Sequence, residues 1–190
     1  MATLDAHRVS EAVDRVVLFG PESTGKSTLA QRLAAHFETV WVPEFLRQFV
    51  DDRLPSLAPG APLVAEADLP AIVSGQIAAE EALAAQARRV LFCDTDPLQT
   101  AVYAEHYFGR APEWLRALAA RRRYARHLLL DVDTPFVPDP QRDRPGQRAE
   151  LFARFKNALD QSGRSYVEIT GPWDERERRA IETVDELLGG

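Results

Sequence analysis

A single cysteine, Cys93, in a chain of 190 residues rules out an internal disulfide and a cysteine-based metal cluster. That suits a reducing compartment, and a cytoplasmic location is expected. No apolar run approaches the roughly 18 residues needed to cross a bilayer, so a membrane is not an expected partner. The opening MATLDAHRVSEAVDR carries three acids and no apolar stretch of the signal-peptide kind. Positive charge is also short: 23 Lys and Arg stand against 29 Asp and Glu, a net charge of −6. No large basic surface follows, which argues against long nucleic acid, although a small anion can still sit in a local positive pocket. There is no internal repeat and no low-complexity tract. Nothing in the sequence fixes the oligomeric state.

What is present describes a folded α/β chain. Apolar residues make up 45% and charged residues 27%, as in globular domains. Residues 1–14 read as a short polar lead-in and 15–190 as a single domain. Compact apolar runs at 15–20, 39–42, 90–93, 127–131 and 165–169 read as five strands. Amphipathic stretches at 26–37, 45–52, 70–87, 97–108, 112–124, 147–161 and 174–188 read as helices, several opening on proline. The proline-rich stretches at 54–68 and 135–145 read as loops. Near-continuous apolar strands alternating with helices predict a five-stranded parallel sheet with helices on both faces. Ligands of such sheets lie beyond the carboxyl ends of the strands, where Gly20, Glu44, Asp94 and Asp131 fall.

The first strand runs into Gly20-Pro21-Glu22-Ser23-Thr24-Gly25-Lys26-Ser27, followed by Thr28. This is a phosphate loop between an apolar strand and an amphipathic helix, and it predicts a P-loop NTPase fold. The two glycines permit backbone angles closed to other residues, the loop amides face phosphate oxygens, and the helix adds its positive end. Lys26 is expected at the β- and γ-phosphates of ATP and the Ser27 hydroxyl on Mg²⁺.

The third strand ends in Asp94, placed to hold the magnesium shell or face a phosphoryl acceptor. Asp96 precedes Pro97, and both a substrate contact and a helix cap account for it. Cys93 reads as a small buried residue. Glu44, after the second strand, is placed to take a proton from an attacking hydroxyl or to bind a substrate sugar; an acid favoured by a helix dipole is the alternative. Arg47 shares its helical face and either orients Glu44, touches a phosphate or is solvated. Glu44 and Asp94 both stand as candidates for the base. The segment 132–148 is read as a lid carrying Arg142, Arg144 and Arg148, with Arg142 and Arg148 preferred as cations for a transferring phosphate. Surface pairing with Asp139 and Asp143 is the alternative. The run Arg121–Arg123 reads as a solvated helix end.

Taken together, GPESTGKSTLAQRLA, VPEFLRQFV, FCDTDPLQTAVYAEHYFG and LLLDVDTPFVPDPQRD resemble the ribosylnicotinamide kinase domain of the NadR family, in order and with compatible spacing from about Arg15 onward. The resemblance implies a nucleoside-monophosphate-kinase-like fold and transfer of the ATP γ-phosphate to the 5′-hydroxyl of nicotinamide riboside or a related nucleoside. It implies ATP at Gly20–Thr28, Glu44 and Asp94 near the acceptor, and Arg142 and Arg148 in the lid. It also implies a kinase-only form, without the adenylyltransferase domain of fused members. The chain departs from the family where an aromatic is expected before the acid of the second strand: Pro43 stands there. The helix from Pro70 to Ala87 has no aromatic either, which leaves Trp41 or Phe45 as stacking substitutes. A P-loop ATPase or nucleotide switch acting with a protein partner is the alternative from a different class.

Overall fold

A computed structural model describes residues 13–136 and 145–189. Five strands form one sheet: β1 (Asp14–Phe19), β2 (Trp41–Val42), β3 (Val90–Asp94), β4 (Arg126–Leu130) and β5 (Tyr166–Ile169). Their spatial order is β2-β3-β1-β4-β5, and every pairing is parallel. The helices are α1 (Lys26–His36), α2 (Phe45–Arg53), α3 (Leu69–Ala84), α4 (Pro97–Phe108), α5 (Glu113–Arg121), α6 (Arg148–Ser162) and α7 (Trp173–Gly189). The expected elements recur with ends shifted by a few residues. The first strand takes in Asp14, one residue of the expected lead-in.

Alternation along β1 explains how the sheet is covered. Val16 and Leu18 point to one face, where Leu29 and Leu33 of α1 and Ala180 and Val184 of α7 close a core. Val17 and Phe19 point to the other, against Val102 of α4 and Leu151, Phe155 and Leu159 of α6. All four β1 residues are fully buried, as a strand covered on both faces requires. A third cluster joins Leu69 and Val73 of α3, Ala101 and Ala104 of α4, and Leu115 of α5. Among the described residues no strand residue takes part in it. Among the described residues no helix is long and apolar enough to cross a membrane.

Within the basic run, Arg121 and Arg123 are exposed as expected from the sequence, but Arg122 between them is not solvated. Arg122 bonds the fully buried Glu80 of α3 at 2.6 Å and Glu81 at 2.8 Å, and Tyr124 donates to the same Glu80. Burial pushes the Glu80 carboxyl up, and Arg122 and Tyr124 pull it back. Arg122 therefore ties the end of α5 to α3.

Candidate active site

Immediately after β1 the chain turns through the phosphate loop. Gly25 is left-handed, with φ 88°, and a Cβ there would come within 2.7 Å of the Trp173 ring. Only glycine satisfies both conditions. The loop is braced from outside. Gln99 Oε1 accepts from Gly20 N at 3.0 Å, and the Ser23 carbonyl accepts from Arg148 at 3.0 Å and from the Thr134 hydroxyl at 3.3 Å. Arg176, fully buried, donates to Thr24 O (3.3 Å), Asp131 O (3.1 Å) and Gly171 O (2.9 Å) and pairs with Asp133. Arg176 went unnoticed in the sequence because it sits among other charges in WDERERR; only the fold shows it under the loop.

Inside the loop, Lys26 Nζ donates to Pro21 O at 2.8 Å, and Ser27 Oγ donates to Asp94 Oδ2 at 2.5 Å. Both charged groups are almost wholly buried. Burial pushes the Lys26 ammonium below the usual lysine range, against the pull of Asp94 and Glu44. Burial likewise pushes the Asp94 carboxyl up, against Lys26 and the Ser27 hydrogen bond. The second Asp94 oxygen, Oδ1, is buried without a hydrogen-bond partner. An anion beside Lys26 and a hard cation beside Asp94 would each reverse these costs. The residues thus fit a nucleotide phosphate with Mg²⁺. Magnesium is commonly held by one or two carboxylates plus substrate phosphates, and no cluster of three or more acidic, His or Cys ligands exists among the described residues.

From this loop a cavity of about 480 Å³ extends past the strand ends. Residues Glu22–Thr28 line one end. The rest of the wall carries Glu44, Leu46, Arg47 and Val50 around α2, Leu69, Ile72 and Gln76 of α3, and Tyr103, Tyr107 and Phe108 of α4. Glu44 opens α2 in an extended conformation, makes no capping hydrogen bond to its own helix, and lies 3.7 Å from Arg47 Nε. The cavity therefore brings Lys26, Ser27, Glu44 and Arg47 together.

Other expected residues stand elsewhere. Asp96 does not line the cavity: it is fully buried, caps α4 through Gln99 N at 2.8 Å, and meets His127 Nε2 at 3.1 Å. Of its two sequence readings the cap is the one realised, and its second oxygen is taken up by His127 of β4. Arg148 is also not a lining residue; its guanidinium holds the Ser23 and Thr134 carbonyls. Arg142 and Arg144, most of the lid, and Asp139 and Asp143 lie outside the described residues. Cys93 is buried and unpaired, its thiol pushed well up by burial.

Neither aromatic substitute reaches the cavity. Trp41 packs on the α1–α7 side of the sheet. Phe45 turns outward from the cavity and lies on Gly75 of α3. The aromatic wall is on α4 instead, where Tyr103 and Tyr107 stack at 6.1 Å with 19° between their planes. Burial pushes the Tyr103 phenol well up, so it stays a neutral donor. The i, i+4 spacing of these tyrosines was the available signal.

A parallel sheet in this order with a phosphate loop after β1 makes the molecule a P-loop NTPase fold of the nucleoside-kinase type. Within that class, residues 15–176 match the AAA domain family model, and the chain belongs to that family. It is 30% identical over 182 residues to the trifunctional NAD biosynthesis/regulator protein NadR of Escherichia coli, covering 93% of this chain and 43% of that protein. The Salmonella typhimurium NadR is likewise 30% identical, over 183 residues. The chain thus spans less than half the length of these curated relatives. A solved NadR structure in complex with NR aligns at TM-score 0.78 and 23% identity, over 94% of this chain and 52% of that one. The thymidylate kinase of Ehrlichia chaffeensis aligns at TM-score 0.65 and 13% identity, over 92% and 99%. At these identities the structural likeness concerns the fold.

Proposed function

We propose that this domain is an ATP-dependent kinase that transfers the γ-phosphate of ATP to the 5′-hydroxyl of a nucleoside, with nicotinamide riboside as acceptor. One observation carries the reading: a single cavity runs from the phosphate loop to a further region lined by the Glu44 carboxylate and the tyrosines of α4. A nucleotide switch needs the first part and has no use for the second. The NadR relatives, and the NadR structure with NR, support the choice of acceptor. A cationic pyridinium ring gains from tyrosine faces by stacking and cation–π attraction.

In this reading the loop amides and Lys26 hold the phosphates and offset charge on the transferring group. Ser27 and Asp94 would hold Mg²⁺, which supplies further charge neutralisation at the phosphate oxygens. Glu44 lines the acceptor chamber and is the group that takes the hydroxyl proton, while Arg47 orients its carboxylate. Asp94, already bonded to Ser27, belongs to the phosphate side. Arg148 and Arg176 act as positioning residues by fixing the loop carbonyls.

The test is ATP consumption with magnesium across a panel of nucleosides, with products identified by mass. A product heavier by one phosphate, formed fastest from nicotinamide riboside, is expected. Slow ATP hydrolysis that ignores every nucleoside would overturn the kinase reading in favour of a partner-regulated ATPase.

A further inference from the structure

One residue of the cavity wall holds a backbone conformation that its side chain disfavours. Thr95 follows Asp94 at the end of β3 and has φ 91°. A β-branched residue in that half of backbone space is a genuine outlier, because both Cβ substituents crowd the chain. The turn itself calls for the angle. Thr95 N donates to Leu18 O of β1 at 3.3 Å, and the next residue, Asp96, caps α4 through Gln99 N at 2.8 Å. A glycine would make the same turn without strain. What a glycine lacks is the side chain, and strain retained at a cavity residue argues for a use of what that residue carries.

The Thr95 hydroxyl is available for such a use. The residue is 6% exposed and lines the cavity. Among the described residues Oγ1 has no hydrogen-bond partner, yet it is not one of the polar atoms shut off from solvent. Other hydroxyls along the same wall are spent inside the protein. Thr24 Oγ1 donates to Pro21 O at 2.9 Å, Ser27 Oγ to Asp94 at 2.5 Å, and Thr100 Oγ1 to Asp96 O at 3.3 Å.

The neighbours say what this hydroxyl meets. Asp94, one peptide unit or about 3.8 Å away between Cα atoms, is bonded to Ser27 at the phosphate end. Thr100 and Tyr103, further along the chain on α4, line the acceptor end. Thr95 thus stands where the two ends join. A phosphoryl group crossing that join leaves the loop amides behind with the ADP. Its non-bridging oxygens then need a donor, and a neutral hydroxyl supplies one without adding a charge beside Asp94.

We propose that Thr95 is a further catalytic residue, whose hydroxyl donates to a non-bridging oxygen of the phosphoryl group in transit. The inference rests on the kinase reading and adds the residue that holds the group between donor and acceptor. The Thr95 hydroxyl keeps its proton throughout. The bond from phosphorus to the ADP oxygen breaks, the bond to the acceptor oxygen forms, and the acceptor proton goes to Glu44.

The experiment titrates ADP with magnesium into the native protein, Thr95→Val, Thr95→Gly and Thr95→Ser by calorimetry, with and without fluoroaluminate, a mimic of the transferring group. ADP alone should bind all four within about twofold of one another. Fluoroaluminate should tighten ADP on the native protein and on Thr95→Ser, and should do so about tenfold less on Thr95→Val, which keeps the shape and loses the donor. Thr95→Gly, whose backbone suits the turn, should show the same loss, which separates the lost donor from a misfolded turn. In turnover Thr95→Val and Thr95→Gly should lose about tenfold in kcat, with both KM values within about twofold of native. Equal tightening in the native protein, Thr95→Val and Thr95→Gly would mean that Thr95 serves only the turn, and would overturn the proposal. A Thr95→Ser as defective as Thr95→Val would assign the effect to the methyl group and overturn it likewise, as would a native protein whose hold on ADP ignores fluoroaluminate. Lost tightening in Thr95→Val beside a native protein that phosphorylates no nucleoside would uphold the contact and refute the kinase reading, so the two failures are distinguishable.

Discussion

The phosphate end of the cavity comes from one unbroken run, Glu22–Thr28, whereas the acceptor end draws on α2, the loop before α3, α3 itself and α4. The first end works largely through backbone and one lysine, on a loop turned at Gly25 and braced from behind by Gln99, Arg148 and Arg176. The second works through side chains that meet only when three helices pack. The consequence is thermodynamic as well as architectural. The phosphate end holds two buried charges at a cost to stability, and the acceptor end holds mainly apolar and aromatic surface that stabilises the fold. Substitutions at the two ends should therefore differ in sign on stability and in kind on kinetics.

Lys26→Met should give the largest effect. Loss of the loop cation is expected to lower kcat/KM by about a thousandfold. The same change should raise the Tm of the nucleotide-free protein, by about 2–4 °C for each kcal/mol of buried-charge cost removed. Pro21 O keeps a donor in Thr24, so the substitution leaves no orphaned carbonyl. The sign follows from linkage. A lysine whose folded value lies below its ordinary 10.5 destabilises the fold when charged. That cost is fully present below the folded value and fades as pH rises toward the ordinary one. Native stability should therefore climb toward Lys26→Met as the buffer becomes alkaline; a gap that widens with pH would refute the assignment.

Glu44→Gln should come next, with kcat on nicotinamide riboside reduced by about a hundredfold and ATP affinity nearly unchanged. Asp94→Asn should instead weaken binding of magnesium and ATP together. Turnover at saturating substrates, set beside calorimetric ATP affinity, separates the two carboxylates. If Glu44→Gln lost ATP binding and Asp94→Asn kept it, the division of the cavity into two ends would be reversed. Tyr107→Ala should raise the acceptor KM about tenfold, with ATP KM unaltered, since a stacked ring contributes on the order of 1–3 kcal/mol. Tyr107→Phe keeps the aromatic face and should retain most of the acceptor affinity that Tyr107→Ala loses.

How far each end could be read in advance follows from the same contrast. The five-strand alternation, the P-loop and the place of Asp94 at the end of β3 were legible because each depends on neighbours in sequence: apolar runs, glycine spacing, a strand ending in an acid. Asp96 was ambiguous because a cap and a substrate ligand leave the same local trace, and its partner His127 is thirty-one residues away. Trp41 and Phe45 misled because strand and helix phase give a direction only after the packing partner is known. Trp41 faces α1 and α7, and Phe45 is drawn to α3 by a glycine thirty positions on. Gln76 and the α4 tyrosines lay in segments whose spacing reads equally well as core.

The smallest effect tests that last point most directly. Gly75→Ala adds one methyl to α3, and helix propensity alone would make it stabilising by about 1 kcal/mol. The Phe45 ring occupies the space, however, so the methyl must push α2 away from α3. Overpacking of this kind costs about 1–3 kcal/mol, which cancels or exceeds the propensity gain. The displacement falls on the helix that presents Glu44 and Arg47, so the acceptor KM should rise about fivefold, the equivalent of about 1 kcal/mol, while ATP KM stays constant. Phe45→Leu removes the ring atoms nearest the new methyl and should restore part of the loss in the double variant. Additive effects in that cycle would mean that α2 and α3 are not locked through this contact, and the acceptor end would then owe its shape to α4 alone.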